Sequence, residues 1–101
     1  MTIDTNYDSG TSTLTIKVSG RFDFGVHQGF RKAIEQIPAT MRTVIVDLQF
    51  TEYMDSSALG MLLVLRDKVS NAQQSVRLLN PKPDVRKILE IANFDKLFSL
   101  Q

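Results

Sequence analysis

"EYMDSSALGMLLVLRDK", residues 52–68, places an acid and two hydroxyls directly before the most apolar run of the chain. The spacing of its apolar residues predicts a helix from Ser56 or Ser57 to about Ala72. The residues in helical register are Leu59, Leu62, Leu63 and Val69. Asp55 and the serines then lie at the start of the helix, where side-chain oxygens cap free backbone N–H groups.

Strand-like segments lie on both sides of this helix. The alternating residues of 3–18, interrupted by the turn "DSG", predict a half-buried hairpin. "TVIVDL" (43–48) lacks clear alternation, as expected of a central strand covered on both faces. Residues 49–55 are predicted to form a loop, and "SVRLLN" (75–80) is a further strand.

Two more helices follow from apolar residues spaced three and four apart. The first uses Val26, Phe30, Ala33, Ile34 and Ile37, and Pro38 closes it. The last uses Val85, Ile88, Leu89 and Ala92, and the tail "FDKLFSLQ" leaves room for one more helical turn. The predicted fold is one α/β domain over residues 1–101, with order β-β-α-β-α-β-α and a sheet flanked by helices.

Composition excludes several functional classes. The 101 residues contain no cysteine, so disulfides, zinc-cysteine sites and thiol catalysis are absent. A net charge of +1 with scattered basic residues offers no patch for nucleic acid or an anionic membrane surface. The polar N-terminus does not resemble a signal peptide, and no apolar run is long enough to span a bilayer, so a cytoplasmic protein is expected.

Enzyme motifs are missing as well. The chain has no Gly-rich phosphate loop and no H-E-x-x-H pattern, and its carboxylates show no metal-ligand spacing. A Ser/His/Asp triad would have to use the single histidine, His27, which we interpret as a surface or boundary residue. We therefore expect a protein without intrinsic enzymatic activity, cofactor or metal.

Ser56 is a candidate site of phosphorylation. The first N–H groups of a helix lack internal partners, so a phosphate on a first-turn serine is compatible with the fold. Phosphorylation adds a charge of about −1.5 to −2, enough to disrupt docking by an acidic or apolar partner. "ALGMLLVL" is apolar on nearly every side, which leaves open whether part of it is an exposed contact surface or whether Met61 and Val64 pack on a neighbouring helix.

The segment "YMDSSALGMLL" resembles the D-S-[ST]-G-L-G signature of STAS domains in the bacterial anti-sigma factor antagonist family. "VSGRFD" is similar to the family's G-x-h-D element, and "VIVDL" looks like the strand before the signature. "VRLLNPKPDVRKILEIANFDKLF" resembles the closing segment, so the similarity covers nearly the whole chain. It implies a STAS-like fold, a mixed sheet of about four strands with three to four helices.

The resemblance also implies a function. In this family a partner that is both a serine kinase and an anti-sigma factor phosphorylates the serine after the signature aspartate, and a PP2C-type phosphatase reverses the reaction. The bare antagonist binds that partner, and phosphorylation weakens the binding. The corresponding residue here is Ser56.

Residue by residue, the resemblance gives Asp55 the task of orienting the hydroxyl or its peptide environment. Ser57, Leu59 and Gly60 would shape the turn and first helical coil, and Met61 would support the contact surface. Asp23 matches the family acid near the phosphorylation site. One departure is Ala58, where glycine is common; it costs backbone freedom at the serine.

A second function stays open from the sequence. A STAS module can serve as a scaffold or as a sensor of a small molecule or nucleotide without kinase control, including in regulation of motility or biofilm formation. The intact Asp55-Ser56 pair favours the phosphorylated switch, although Ser56 can also act as a cap alone.

Overall fold

Six strands and three α-helices make up the part of the chain that the computed structural model describes, residues 2–38, 40–69 and 75–101. In chain order these are β1 (Thr2–Asp8), β2 (Thr13–Phe22), a 3-10 helix (Phe24–Val26), α1 (His27–Glu35), β3 (Thr43–Asp47), β4 (Thr51–Met54), α2 (Ser56–Lys68), β5 (Ser75–Leu79), α3 (Pro83–Ile91), a second 3-10 helix (Phe94–Lys96) and β6 (Ser99–Leu100). The predicted α/β class and the predicted helices are confirmed.

The sheet is mixed, with strand order β1-β2-β3-β5-β6. β1 and β2 form the predicted antiparallel hairpin, whereas β3, β5 and β6 run parallel to β2. β4 lies off this path and pairs in parallel with the last residues of β2. The predicted number of about four strands was therefore too low.

The two missed strands are short and depend on distant partners. Residues 49–55, predicted as a loop, contain β4, whose register with β2 shifts between Gly20 and Arg21. That irregularity removes the alternation that would have marked a strand. β6 has two residues and follows the 3-10 turn expected in the tail; it is held by β5, with the Gln101 N–H donating to the Leu78 carbonyl at 2.9 Å.

The hydrophobic core lies on one face of the sheet. Buried residues of neighbouring strands stand in register, as Ile16, Val46 and Leu78 do, and they join one cluster with the buried residues of all three helices. The prediction that β3 is covered on both faces was wrong, because Ile45 and Asp47 on its other face are only half-buried. The helices pack on a single side.

The helices follow their predicted stripes with one exception. Phe30 of α1 packs its ring against Phe22 at a centroid distance of 5.1 Å, and Val85 and Leu89 anchor α3. In α2, Leu63 was predicted to face inward but is exposed, and Leu65 is buried instead. The described part of α2 ends at Lys68; the predicted end near Ala72 lies outside the described residues.

Candidate functional site

Asp55 is the N-cap of α2, as the sequence predicts. Its carboxylate Oδ1 accepts a hydrogen bond from the Ala58 N–H at 3.0 Å. Its own N–H donates to the Phe22 carbonyl at 3.3 Å, and its carbonyl accepts from the Leu59 N–H at 3.2 Å. One residue thus ties the end of β4 to β2 and to the first turn of α2, which fixes the position of the next residue, Ser56.

Asp23 and Asp55 lie side by side at the same end of a parallel pair. Phe22 and Met54 are Cα partners in that pair, and both side chains are buried. The residue that follows each of them is an aspartate. The pairing of β2 with β4 therefore brings together two acids that are 32 positions apart in the chain.

Asp23 has its own structural partners. Its Oδ1 accepts from the Gly25 N–H at 2.9 Å and caps the first 3-10 helix, while the Arg21 Nε lies 3.4 Å from its Oδ2. The Arg21 guanidinium also lies over the ring of Tyr53, 4.3 Å from the centroid. The sequence did not indicate Arg21 or Tyr53, because their proximity depends on β4.

The two serines differ in access. Ser56 is the first residue of α2 and is exposed, whereas Ser57 is half-buried. Ala58, the departure from the signature, is completely buried and supplies the N–H that Asp55 caps. Alanine fits this position because α2 is regular there, so the structure gives no sign of a displaced Ser56.

Leu59, Gly60 and Met61 divide between core and surface. Leu59 is half-buried against the core and Met61 is buried. Gly60 is exposed, and a Cβ built on it would meet no atom within 4 Å. The expected role of Gly60 in shaping the turn is not required by the fold, since the residue lies within a regular helix.

One face of α2 carries an exposed strip that starts at the serine. Ser56, Gly60, Leu63 and Val64 lie at i, i+4, i+7 and i+8 and are all exposed, Leu63 by 40% and Val64 by 44%. We call these four residues the α2 strip. The sequence left open whether Met61 and Val64 pack on a neighbouring helix or form part of an exposed surface. Met61 is buried, whereas Val64 is exposed, so each alternative holds for one of the two residues.

An aromatic pair with one exposed ring follows Asp23 in the chain. Phe24 is 71% exposed, and its ring stacks on that of His27 with centroids 5.3 Å apart. His27 is half-buried at the start of α1, in line with the predicted boundary histidine. A sequence signal for Phe24 existed: it lies directly after Asp23 and outside the apolar stripe of the following helix.

Ser56 and the two aspartates differ in their hydrogen bonding. The Ser56 hydroxyl is accessible, while the neighbouring carboxylates are engaged by the Ala58 and Gly25 N–H groups. Within residues 2–38, 40–69 and 75–101, no group of three or more acidic or histidine side chains could hold a metal ion. No helix in that same part of the chain is long and apolar enough to cross a membrane.

The family model of the STAS domain matches residues 3–101. The chain belongs to the STAS domain family. It is 53% identical over 87 residues to the STAS-domain containing protein PA14_20770 of Pseudomonas aeruginosa strain UCBPP-PA14, with 86% of each chain covered. It is 28% identical over 82 residues to the anti-sigma F factor antagonist of Lysinibacillus sphaericus, covering 79% of this chain and 70% of that protein.

The fold of this STAS domain is also that of an anti-sigma factor antagonist. The structure of SpoIIAA in its unphosphorylated form superposes with a TM-score of 0.80, at 23% identity, covering 99% of this chain and 88% of the other. The resemblance inferred from the signature around Ser56 is thereby confirmed for family and fold.

Proposed function

We propose that this STAS domain is a phosphorylation-controlled anti-sigma factor antagonist. It binds a partner that is both an anti-sigma factor and a serine kinase when Ser56 is bare, and releases it when Ser56 carries phosphate. The observation that carries the proposal is the exposed hydroxyl of Ser56 at the capped start of α2. The name of the relative from Lysinibacillus sphaericus, an anti-sigma F factor antagonist, supports an anti-sigma factor as the partner.

The partner supplies the chemistry. Its kinase site transfers the γ-phosphoryl group of ATP to the Ser56 Oγ: the Oγ–P bond forms, the bond from phosphorus to the bridging oxygen of ADP breaks, and the hydroxyl proton passes to a kinase base. A PP2C-type phosphatase returns the hydroxyl by hydrolysis. The domain itself contributes the acceptor, and we expect no ATP turnover by the purified chain. Because this reaction would use ATP, we expect the protein to act in the cytoplasm.

The α2 strip and Phe24 supply a surface for the partner. Leu63 and Val64 on α2 and Phe24 after Asp23 are large apolar side chains left in solvent. Exposed apolar surface of this kind is suited to a protein contact when it is contiguous. Gly60 fits the same surface, because glycine in a helix interior costs about 1 kcal/mol relative to alanine and this position has room for a Cβ. A closely approaching partner backbone gives a reason for keeping glycine there.

Phosphate on Ser56 would oppose this docking. The added charge of about −1.5 to −2 would lie at the head of an apolar strip, which a docked partner must desolvate. The carboxylates of Asp23 and Asp55 lie next to it, so the phosphorylated surface becomes strongly anionic. Release of an apolar or acidic partner follows from charge and desolvation together.

The first test is phosphopeptide mapping of the protein from growing and starved host cells. Occupancy at Ser56 that changes between the two states is the expected result. Binding to the captured kinase partner is then measured by calorimetry for Ser56→Ala, Ser56→Asp and the control Ser99→Ala, an exposed serine on β6. Ser56→Ala and Ser99→Ala should bind like the parent, and Ser56→Asp should bind more weakly. A serine that stays bare in both states contradicts the switch.

A cavity favours a sensor of a small molecule as the second candidate function. About 330 Å³ of space lies between β1, the start of β2 and the end of α1, lined by Thr5, Tyr7, Leu14, Ala33, Gln36, Pro38 and Met41. This volume is at the lower end of ligand sites. The lining residues that the structure describes carry no cation for phosphates, so an uncharged ligand fits them better than a nucleotide. Ligand-induced shifts in the NMR spectrum of Gln36 and Tyr7 would support this function, and their absence across a library of uncharged metabolites would count against it.

A further inference from the structure

We propose that Arg21 is the intramolecular partner of the phosphate on Ser56, and that its guanidinium exchanges Asp23 for that phosphate when the serine is modified. This inference rests on the proposed phosphorylation of Ser56. It adds a residue of the same domain that would bind the phosphate. The juxtaposition that carries it is the position of the Arg21 guanidinium beside Asp23 on β2 and over the ring of Tyr53 on β4.

The guanidinium already points toward the site. Arg21 extends forward along β2, because its Nε lies 3.4 Å from the carboxylate of Asp23, two residues further on. It also leans sideways onto β4, where the ring of Tyr53 lies 4.3 Å beneath it. Tyr53 is the Cα partner of Arg21, and Ser56 comes three residues later.

The distance that remains is short. Asp23 and Asp55 follow paired residues, so they stand at the same level along the two strands. Neighbouring strands lie about 4.8 Å apart, and Ser56 is the next residue after Asp55. A guanidinium that reaches the level of Asp23 and leans toward β4 therefore needs only a change of side-chain rotamer to meet a phosphate on Ser56.

The exchange is favoured by charge and geometry. The Arg21–Asp23 contact is an exposed ion pair, with 63% of the Arg21 side chain accessible, and such pairs contribute little. It uses Nε, and the guanidinium has four further N–H groups on its two terminal nitrogens. A phosphate dianion accepts two parallel N–H bonds from this fork and carries about twice the charge of a carboxylate.

Other charged groups around the phosphate act in both directions. The carboxylates of Asp23 and Asp55 repel it, and the free N–H groups at the start of α2 attract it. The His27 ring lies against that of Phe24, the residue after Asp23. Among these groups Arg21 is the permanent cation, and its movement would also release Asp23 and uncover the ring of Tyr53. The phosphorylated surface would then differ in shape as well as in charge.

The test uses the full chain with phosphoserine encoded at position 56 during expression, so that no kinase is needed. The ³¹P resonance is titrated with pH in the parent, Arg21→Ala, Arg21→Lys and the control Arg42→Ala, all carrying the phosphate. Arg42 precedes β3 and lies at the opposite end of the sheet from Ser56. Far-ultraviolet circular dichroism checks that each variant is folded.

A nearby guanidinium lowers the second pKa of a phosphate below its usual value of about 6. We expect Arg21→Ala to raise this pKa by about half a unit, roughly a threefold change in the proton dissociation constant. Arg21→Lys should give a smaller rise, and Arg42→Ala none. An Arg21→Ala titration that coincides with that of Arg42→Ala would overturn the inference. Because the phosphate is encoded, this result is independent of whether a kinase modifies Ser56 in the host, which only the phosphopeptide mapping decides.

Discussion

Replacement of Asp55 by alanine should destabilise the domain measurably. The change removes the hydrogen bond from the Ala58 N–H to the Asp55 carboxylate, which measures 3.0 Å. Loss of an N-cap costs about 1 kcal/mol, and loss of a negative charge at a helix start costs about 0.5 kcal/mol more. The two main-chain bonds of Asp55 with Phe22 and Leu59 do not involve its side chain and remain.

The expected decrease in the free energy of unfolding is therefore about 1.5 kcal/mol, or a fall in Tm of roughly 6–12 °C for a domain of this size. Urea denaturation followed by circular dichroism at 25 °C measures it, with an unchanged m-value. Asp55→Asn keeps an oxygen acceptor and loses only the charge, so it should cost about 0.5 kcal/mol. Asp67→Ala, an exposed acid in the last turn of α2, serves as the control and should be neutral or slightly stabilising.

Two results would refute this reasoning. Asp55→Ala within about 0.3 kcal/mol of the parent would show that the capping bond contributes nothing net. Asp55→Asn that loses as much stability as Asp55→Ala would show that charge, and not the hydrogen bond, holds the start of α2.

Two further substitutions test β4 and the α2 strip. Thr51→Val should lower the free energy of unfolding by about 1–3 kcal/mol in urea denaturation, because the hydroxyl of the buried Thr51 donates to the Val18 carbonyl at 2.6 Å and that hydrogen bond would be lost. Thr51→Ser keeps the hydroxyl and should recover part of the loss. Equal losses in the two variants would disprove the role of the hydrogen bond. Gly60→Ala should raise the free energy of unfolding by about 0.5–1 kcal/mol, because a Cβ there meets nothing within 4 Å. It should also weaken binding to the proposed kinase partner; unchanged affinity would remove Gly60 from the proposed docking surface.

The sequence predicted the elements whose apolar residues repeat with the period of a strand or a helix. β2, α1 and α3 bury one face against the core, so their apolar residues repeat with the period of the element. β1 follows the predicted alternation, although only Ile3 packs against the core and residues 4–8 are exposed. β4 and β6 carry no such pattern, since they have four and two residues and owe their pairing to β2 and β5. Their formation depends on tertiary contacts that no local window contains.

The same distinction divides the candidate site. Asp55 and Ser56 were identified because a cap and the residue after it are adjacent in the chain. Arg21 and Tyr53 were missed, because their contact exists only through the pairing of β2 with β4. Because residues 49–55 were predicted to form a loop, the sequence did not indicate that Arg21 lies between Asp23 and Tyr53.

Ser56 is the exposed first residue of α2, so the proposed phosphorylation should act at the surface and leave the fold unchanged. Thr51 and Met54, which anchor β4, are buried, and so is Ala58 one turn into α2. A shift of β4 and the start of α2 would expose core side chains and break the buried hydrogen bond of Thr51, at a cost of several kcal/mol. A phosphate on an exposed side chain provides no contact that could offset such a cost, since its partners are the helix start and exposed charges. We therefore expect the amide spectra of the bare and phosphorylated domains to differ around residues 21–27 and 53–60 and to coincide across β1, β3 and α3; changes spread through the core strands would show instead that the modification is transmitted through the fold.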